Sequence, residues 1–187
     1  MILGIDIDGV ILDYEKVLEE EAKKYDLSID GNGIINVNAF SPLDQYGWNK
    51  EEKKVFTDNF VEFTYRTPLV LDSKETIDIL RDKGFKIILI SARGSINPKT
   101  KEAVLDMLKK YEINFDEIYL GMKDKEEICK KLSVSYMIDD NPNICEELSN
   151  NGVSVIYFKQ SKFMLEENDN LKVCTSWNKV RDYLMSE

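Results

Sequence analysis

The chain contains no histidine. Without an imidazole, the Ser-His-Asp and Cys-His mechanisms are closed to it, and so are the usual zinc sites. Any catalysis has to run on carboxylates, hydroxyls, lysines and a hard cation. Cysteine is scarce as well: Cys129, Cys145 and Cys174 are odd in number, far apart and without metal-ligand spacing. Buried, reduced thiols in a cytoplasmic protein are the expectation. No stretch approaches the roughly 20 uncharged apolar residues of a membrane helix. The apolar start, Met1 to Leu12, is broken by Asp6 and Asp8 and carries no basic leader, so a signal peptide is not expected. Positive charge is in deficit, with 25 Lys+Arg against 35 Asp+Glu in 187 residues and a formal net charge of −10. That balance argues against nucleic-acid polymers and anionic membranes as partners. A small anionic substrate would need local cationic help.

Hydrophobic residues make up 43% and charged residues 32%, as in an ordinary globular domain. The most informative segment is Ile5-Asp6-Ile7-Asp8-Gly9-Val10, where an apolar strand spanning Met1–Ile7 runs into two aspartates and a glycine. Alternate strand side chains share a face, so Asp6 and Asp8 are expected to point the same way at the carboxyl end of the strand. Open α/β sheets place their ligands there. Like charges that close resist joint ionisation unless a cation joins them, and Mg²⁺ is a hard ion suited to oxygen ligands. A lone Asp-x-Asp is also a common cap or turn. A second acidic pair, in Ile138-Asp139-Asp140-Asn141-Pro142, ends a second apolar strand. Two such ends converging on one ion are hard to explain by capping.

Elsewhere the periodicity predicts helices over 14–25, 50–65, 73–83, 98–111, 124–132, 142–150 and 177–185. Ser73 is expected as the cap of the third. Strands are predicted over 85–91, 117–120, 135–139 and 153–158, and 159–175 shows no clear pattern. FKIILIS, ending at Ser91, is almost unbroken in its apolar run, as in a parallel sheet covered on both faces. The expected fold class is α/β, a three-layer, Rossmann-like parallel sheet core with a small helical cap inserted after the first strand. The core would comprise 1–13 and 68–187, and the cap 14–67.

The motifs DIDGV, the serine of ISARG, a lysine in GMKDKEE, and IDDNP together resemble the haloacid dehalogenase-like (HAD) phosphohydrolase superfamily, across almost the whole chain. The resemblance implies a Mg²⁺-dependent phosphomonoester hydrolase working through an aspartyl-phosphate. Asp6 would be the nucleophile, Asp8 the general acid/base, and Ser91 a hydrogen-bond donor to a phosphoryl oxygen. Lys125, at the start of a helix, is favoured over Lys123 for balancing charge. The implied metal shell is the Asp6 carboxylate, the Asp8 backbone carbonyl and one of the second pair. Asp140 aligns better with the direct ligand, and Asp139 would orient it or hold a metal water. Arg93 is expected to reach the phosphate or the cap, with a surface salt bridge as the other reading.

Within the superfamily, DIDGVILDY, the short cap and ISARG look similar to the 5'(3')-deoxyribonucleotidase group and its bacterial relatives. That likeness implies a nucleoside monophosphate substrate stacked on cap aromatics. Tyr46 and Trp48, in a loop, are the expected cleft-facing pair. Two alternatives stay open: another small phosphomonoester, such as a sugar phosphate or cofactor precursor, and a non-enzymatic phosphoacceptor domain.

Overall fold

The computed structural model describes residues 1–160 and 162–186. Among the described residues, six strands form one parallel sheet: β1 (Ile2–Ile5), β2 (Lys86–Ser91), β3 (Glu117–Leu120), β4 (Tyr136–Asp139), β5 (Val155–Phe158) and β6 (Leu171–Cys174). Their spatial order is β3-β2-β1-β4-β5-β6. Ile5 pairs with Leu89 on one side and Ile138 on the other. The first strand therefore lies between the two others that carry polar ends. The reversal of strand order on either side of β1 opens the crevice where doubly wound sheets bind ligands.

Alternation along each strand feeds two separate cores. Leu3, Ile5, Ile87, Leu89, Ile138, Ile156 and Phe158 face one way. They pack against α5 (Ser73–Asp82), α6 (Thr100–Lys110) and α9 (Trp177–Leu184). Ile88, Ile90, Met137, Val155 and Tyr157 face the other, against α7 (Lys125–Leu132) and α8 (Pro142–Asn150). Two buried faces account for the near-continuous apolar strands. This is the expected three-layer α/β sandwich. Trp177 is fully buried and donates its indole N–H to the Val10 carbonyl at 2.8 Å, tying α9 to the loop after β1.

Between β1 and α5 lie α1 (Tyr14–Ser28), α2 (Pro42–Gln45), α3 (Lys50–Asp58) and α4 (Phe60–Arg66). They share a third apolar cluster of their own, built from Tyr14, Leu18, Ala22, Tyr46, Trp48, Phe56, Phe60 and Phe63.

Several details differ from the sequence expectations. β1 stops at Ile5, and the Ile7 carbonyl accepts from both Ile11 and Leu12 amides, so Asp6 and Asp8 sit in a turn beyond the strand. The single helix expected over 50–65 is two. Asn59 closes α3 and opens α4, and its side-chain amide donates to the Val55 carbonyl at 2.9 Å. Asparagine competes in this way for backbone groups and interrupts helices. Ser73 is the first residue of α5, while Asp72, at φ 62°, occupies the cap position. The segment without clear periodicity supplies β6 as an edge strand parallel to β5. The three cysteines are buried and unbridged.

Replacing Trp177 by phenylalanine removes the indole donor and leaves a void at a fully buried site. The expected cost is about 2–4 kcal/mol by urea unfolding, with an unchanged denaturant slope. A loss under about 0.5 kcal/mol, the range of ordinary surface changes, would show that α9 is not anchored there.

Candidate active site

The register of β2, β1 and β4 brings three carboxyl ends side by side. Asp6 follows the last residue of β1 and donates its amide to the Ile138 carbonyl at 2.9 Å, so it still rides on β4. Ser91 ends β2 and Asp139 ends β4, with Asp140 next in the chain. Lys125 is the first residue of α7, whose start is capped by the Asp124 carboxylate accepting from the Glu127 amide at 3.0 Å. Gly9 closes the arrangement. It sits at φ +70°, and a β-carbon there would lie 1.8 Å from Asp140 Oδ2. Only glycine lets the first acidic turn approach the second this closely.

The acidic ends do meet. Donor oxygens of Asp6, Asp139 and Asp140 lie within 4.8 Å of one another, and all three residues are buried. Lys125, also buried, places its ammonium 2.7 Å from Asp6 Oδ1 and 2.6 Å from Asp139 Oδ2. The other Asp139 oxygen accepts from the Asn141 amide at 2.9 Å. Among the described residues, no hydrogen bond engages the Asp140 carboxylate or Asp6 Oδ2. Burial pushes Asp6 up to about 7; Lys125 opposes that rise, and the charges of Asp139 and Asp8 add to it. Burial, then Glu15, Asp139 and Asp6, hold Asp140 well above the ordinary carboxylate range. For Lys125, burial pushes downward, but Asp139 and Asp6 outweigh it and keep the ammonium above the usual lysine value.

Asp8 points elsewhere. Its carboxylate is gripped by Arg93, through Nε at 3.0 Å and through a terminal nitrogen on the other oxygen. Arg93 is buried, so the surface salt bridge is not its setting. Ser91 Oγ is buried and accepts the Arg93 amide at 3.1 Å.

A cleft of ≈ 580 Å³ runs outward from Asp140 between the sheet edge and α1. Tyr46 lines it. Trp48 does not. It is buried under Tyr46, with rings stacked at 4.8 Å, and its indole N–H is spent on Asp26 Oδ1 at 2.8 Å. A loop position had suggested access, but the ring is the centre of the third apolar cluster. Lys123 is exposed. Other cleft residues escaped the sequence reading. Glu15, half-buried on the first turn of α1, is pushed up to about 8 by burial and by the charges of Asp8, Glu19 and Asp6. Lys162 and Phe163 come from the loop between β5 and β6, where the Lys162 ammonium donates to the Val37 carbonyl and Phe163 meets Phe40, ring centroids 6.2 Å apart. Nothing local marked Lys162 or Phe163.

No family model matches the chain. Among curated proteins, it is 25% identical over 171 residues to a putative nucleotidase of Oceanobacillus iheyensis, covering 86% of this chain and 88% of the relative. Among solved structures, a putative haloacid dehalogenase-like hydrolase from Bacteroides fragilis superposes with a TM-score of 0.69 at 14% identity, covering 96% and 98% of the two chains. A haloacid dehalogenase-like family hydrolase from Streptococcus pneumoniae gives 0.66 at 12%, covering 98% and 97%. A putative beta-phosphoglucomutase from Bacteroides vulgatus gives 0.66 at 13%, covering 99% and 87%. The fold is haloacid dehalogenase-like. In a haloacid dehalogenase-like fold, the carboxyl edge described above is the edge that carries the chain's four motifs.

The raised acids make stability depend on pH. Asp6 holds its proton to about pH 7 when folded, whereas its ordinary value is 3.8. The unfolded chain therefore sheds a proton first, and stability falls as pH climbs through that window. Glu15 and Asp140 act in the same sense. Exposed acids held low by partners, such as Glu117 by Lys86, act oppositely but have finished doing so by about pH 5. In chelator, the melting temperature should drop between about pH 5 and about pH 8. Millimolar MgCl₂ should raise it more at the higher pH, because ligands must lose protons to bind. A larger gain at the lower pH, or none at either, would contradict a cation site made of these carboxylates.

Proposed function

We propose that this chain is a Mg²⁺-dependent phosphomonoester hydrolase that forms an aspartyl-phosphate on Asp6. The observation that carries the reading is the pairing of a buried, lysine-held Asp6 with two further carboxylates, one of which, Asp140, lines a cleft. If all three carboxylates ionise against one ammonium, a formal excess of two negative charges remains, which a divalent cation matches. The donors are hard oxygens, so the set fits Mg²⁺. Asp6 and Asp140 would supply carboxylates and Asp8 its backbone carbonyl. Asp139, with both oxygens occupied, would orient Lys125 instead of binding directly. Bound there, Mg²⁺ would offset the repulsion between Asp6 and an incoming phosphate and stabilise charge on its oxygens.

In the proposed chemistry, Asp6 Oδ2 attacks phosphorus while Lys125 holds Oδ1. The P–O bond to the leaving group breaks, and Asp8, entering the cycle protonated, delivers that proton to the departing alkoxide. Asp8 then takes a proton from water, whose oxygen attacks the phospho-enzyme. Inorganic phosphate leaves and Asp6 is restored. Ser91 would donate its hydroxyl to a phosphoryl oxygen. Each well-placed proton transfer contributes about 10²–10⁴-fold in rate. The helices over 14–67 would serve as a cap that excludes water from the cleft.

A nucleoside monophosphate is the substrate we favour. Phe40, Tyr46 and Phe163 offer aromatic surface beside Asp140, and base–aromatic stacking tolerates any base. The nucleotidase description of the Oceanobacillus relative points the same way. Sugar phosphates are the second reading, because the fold neighbours include a beta-phosphoglucomutase description. Asp8 argues against a mere phosphoacceptor, since an acceptor domain needs no acid/base two positions on.

A phosphate-release screen over nucleoside monophosphates and sugar phosphates, with and without Mg²⁺, tests the reading. Turnover should require the metal and should favour nucleotides. Asp6→Asn should lower kcat by roughly 10³-fold or more, as loss of a nucleophile does. Full activity in Asp6→Asn would end the aspartyl-phosphate mechanism, and nucleotide rates no higher than those of generic esters would end the nucleotidase assignment.

A further inference from the structure

Arg93 stands two residues beyond Ser91, in the loop leaving β2, and its guanidinium turns toward Asp8. Nε donates to Asp8 Oδ2 at 3.0 Å, and Nη2 donates to Oδ1 of the same carboxylate. Nη1 donates to Thr64 Oγ1, on α4, at 3.1 Å. The guanidinium carbon lies 3.8 Å from the centre of the Tyr14 ring at the start of α1. Thr64 is fully buried and is itself fixed, its hydroxyl donating to the Phe60 carbonyl at 2.7 Å. One side chain thus joins the loop after β2, the residue two after Asp6, and two helices of the proposed cap.

A carboxylate on a turn has two side-chain torsions to lose before it can address a leaving group in one direction. A planar fork that donates to both oxygens fixes the orientation of the carboxylate, which a lysine, acting as a point charge, does not. Three of the five N–H bonds of this guanidinium go to Asp8 and Thr64, and Tyr14 covers a face. That geometry fits a group holding Asp8 better than one reaching for phosphate. Resting on the phosphatase reading above, we propose that Arg93 is a positioning residue that aims the Asp8 carboxylate and takes its own orientation from Thr64. The acid/base is then set by how α4 sits on the sheet edge.

Two variants test this. Thr64→Val keeps the shape of a buried helix residue and removes the hydroxyl. Arg93→Lys keeps the charge and removes the fork. Each is measured by the single-turnover rate of leaving-group release, which precedes the phospho-enzyme hydrolysis common to all esters, on p-nitrophenyl phosphate, whose leaving group needs little protonation, and on an alkyl phosphate, whose leaving group needs a proton. Thr64→Val should lower that first-step rate about 10-fold on the alkyl ester and Arg93→Lys about 10²-fold, with substrate binding nearly unchanged and the aryl ester losing no more than about 3-fold. Equal losses on both esters, or weaker substrate binding at a constant first-step rate, would overturn the proposal; the latter would make Arg93 a phosphate ligand.

A second measurement needs no turnover. In ¹⁵N NMR the Arg93 Nε–H should exchange slowly, apart from the more exposed Arg66, Arg81 and Arg181, and Thr64→Val should speed that exchange about 10-fold. Fast exchange in the unmodified protein, or no change in the variant, overturns the proposal by itself. A protein inert on every ester that still shows the protected signal and its loss counts against the phosphatase reading and leaves the Arg93–Thr64 anchor standing.

Discussion

Three carboxylates crowded onto the edge of a sheet repel one another, and here a single ammonium answers them. Lys125 bridges Asp6 and Asp139 at 2.7 and 2.6 Å. It thereby couples the end of β1, the end of β4 and the start of α7. The bridge is almost dry, with 3% of the lysine side chain exposed. A buried charge left unpartnered is strongly destabilising, so each of these groups requires the others. The contact is weak evidence for net stability and good evidence for specificity of arrangement. Much of the surrounding architecture can be understood as delivering these three side chains to one point.

The parallel sheet performs that delivery. Because β2, β1 and β4 are neighbours running the same way, their ends fall on one edge, where polar groups can gather without breaking the apolar cores beneath. The two cores on either side of the sheet hold the strand ends in register. Gly9 then allows the turn after β1 to lie against Asp140. Rigid strands with a polar rim are the kind of scaffold on which a preorganised charge site can be built.

Asp8 belongs to a different network from Asp6, although one residue separates them. Asp6 is bound into the sheet edge by Lys125, and Asp8 is bound through Arg93 to α4. A turn beginning right after β1 makes this division possible, because it releases the second aspartate from strand alternation. In the proposed mechanism the division separates two tasks. There the nucleophile would be held by the core, and the proton carrier, through Arg93, by α4.

What could be read from residues alone was local and repetitive. The unbroken apolar run before Ser91 required a sheet buried on both faces, and alternating strand and helix patterns required parallel crossovers. The two acidic strand ends, with a lysine opening the helix before the second, carried the chemistry on single short segments. Where local pattern was ambiguous, the fold decided by packing. Trp48 reads as a loop aromatic free to face a cleft, yet Asp26 and Tyr46 enclose it. Asn59 reads as an ordinary position within one helix, yet its amide bonds back to Val55 at the join between two. Lys162 and Phe163 carry no motif, and only the path of the loop before β6 brings them against Val37 and Phe40. The pairing of Arg93 with Asp8 and Thr64 likewise spans distant parts of the chain. The sequence by itself determined most of the strands and where charge collects; tertiary structure alone chose β6 and the partners of Arg93, because residues 85 and 29 positions apart are brought together by packing that no local periodicity encodes.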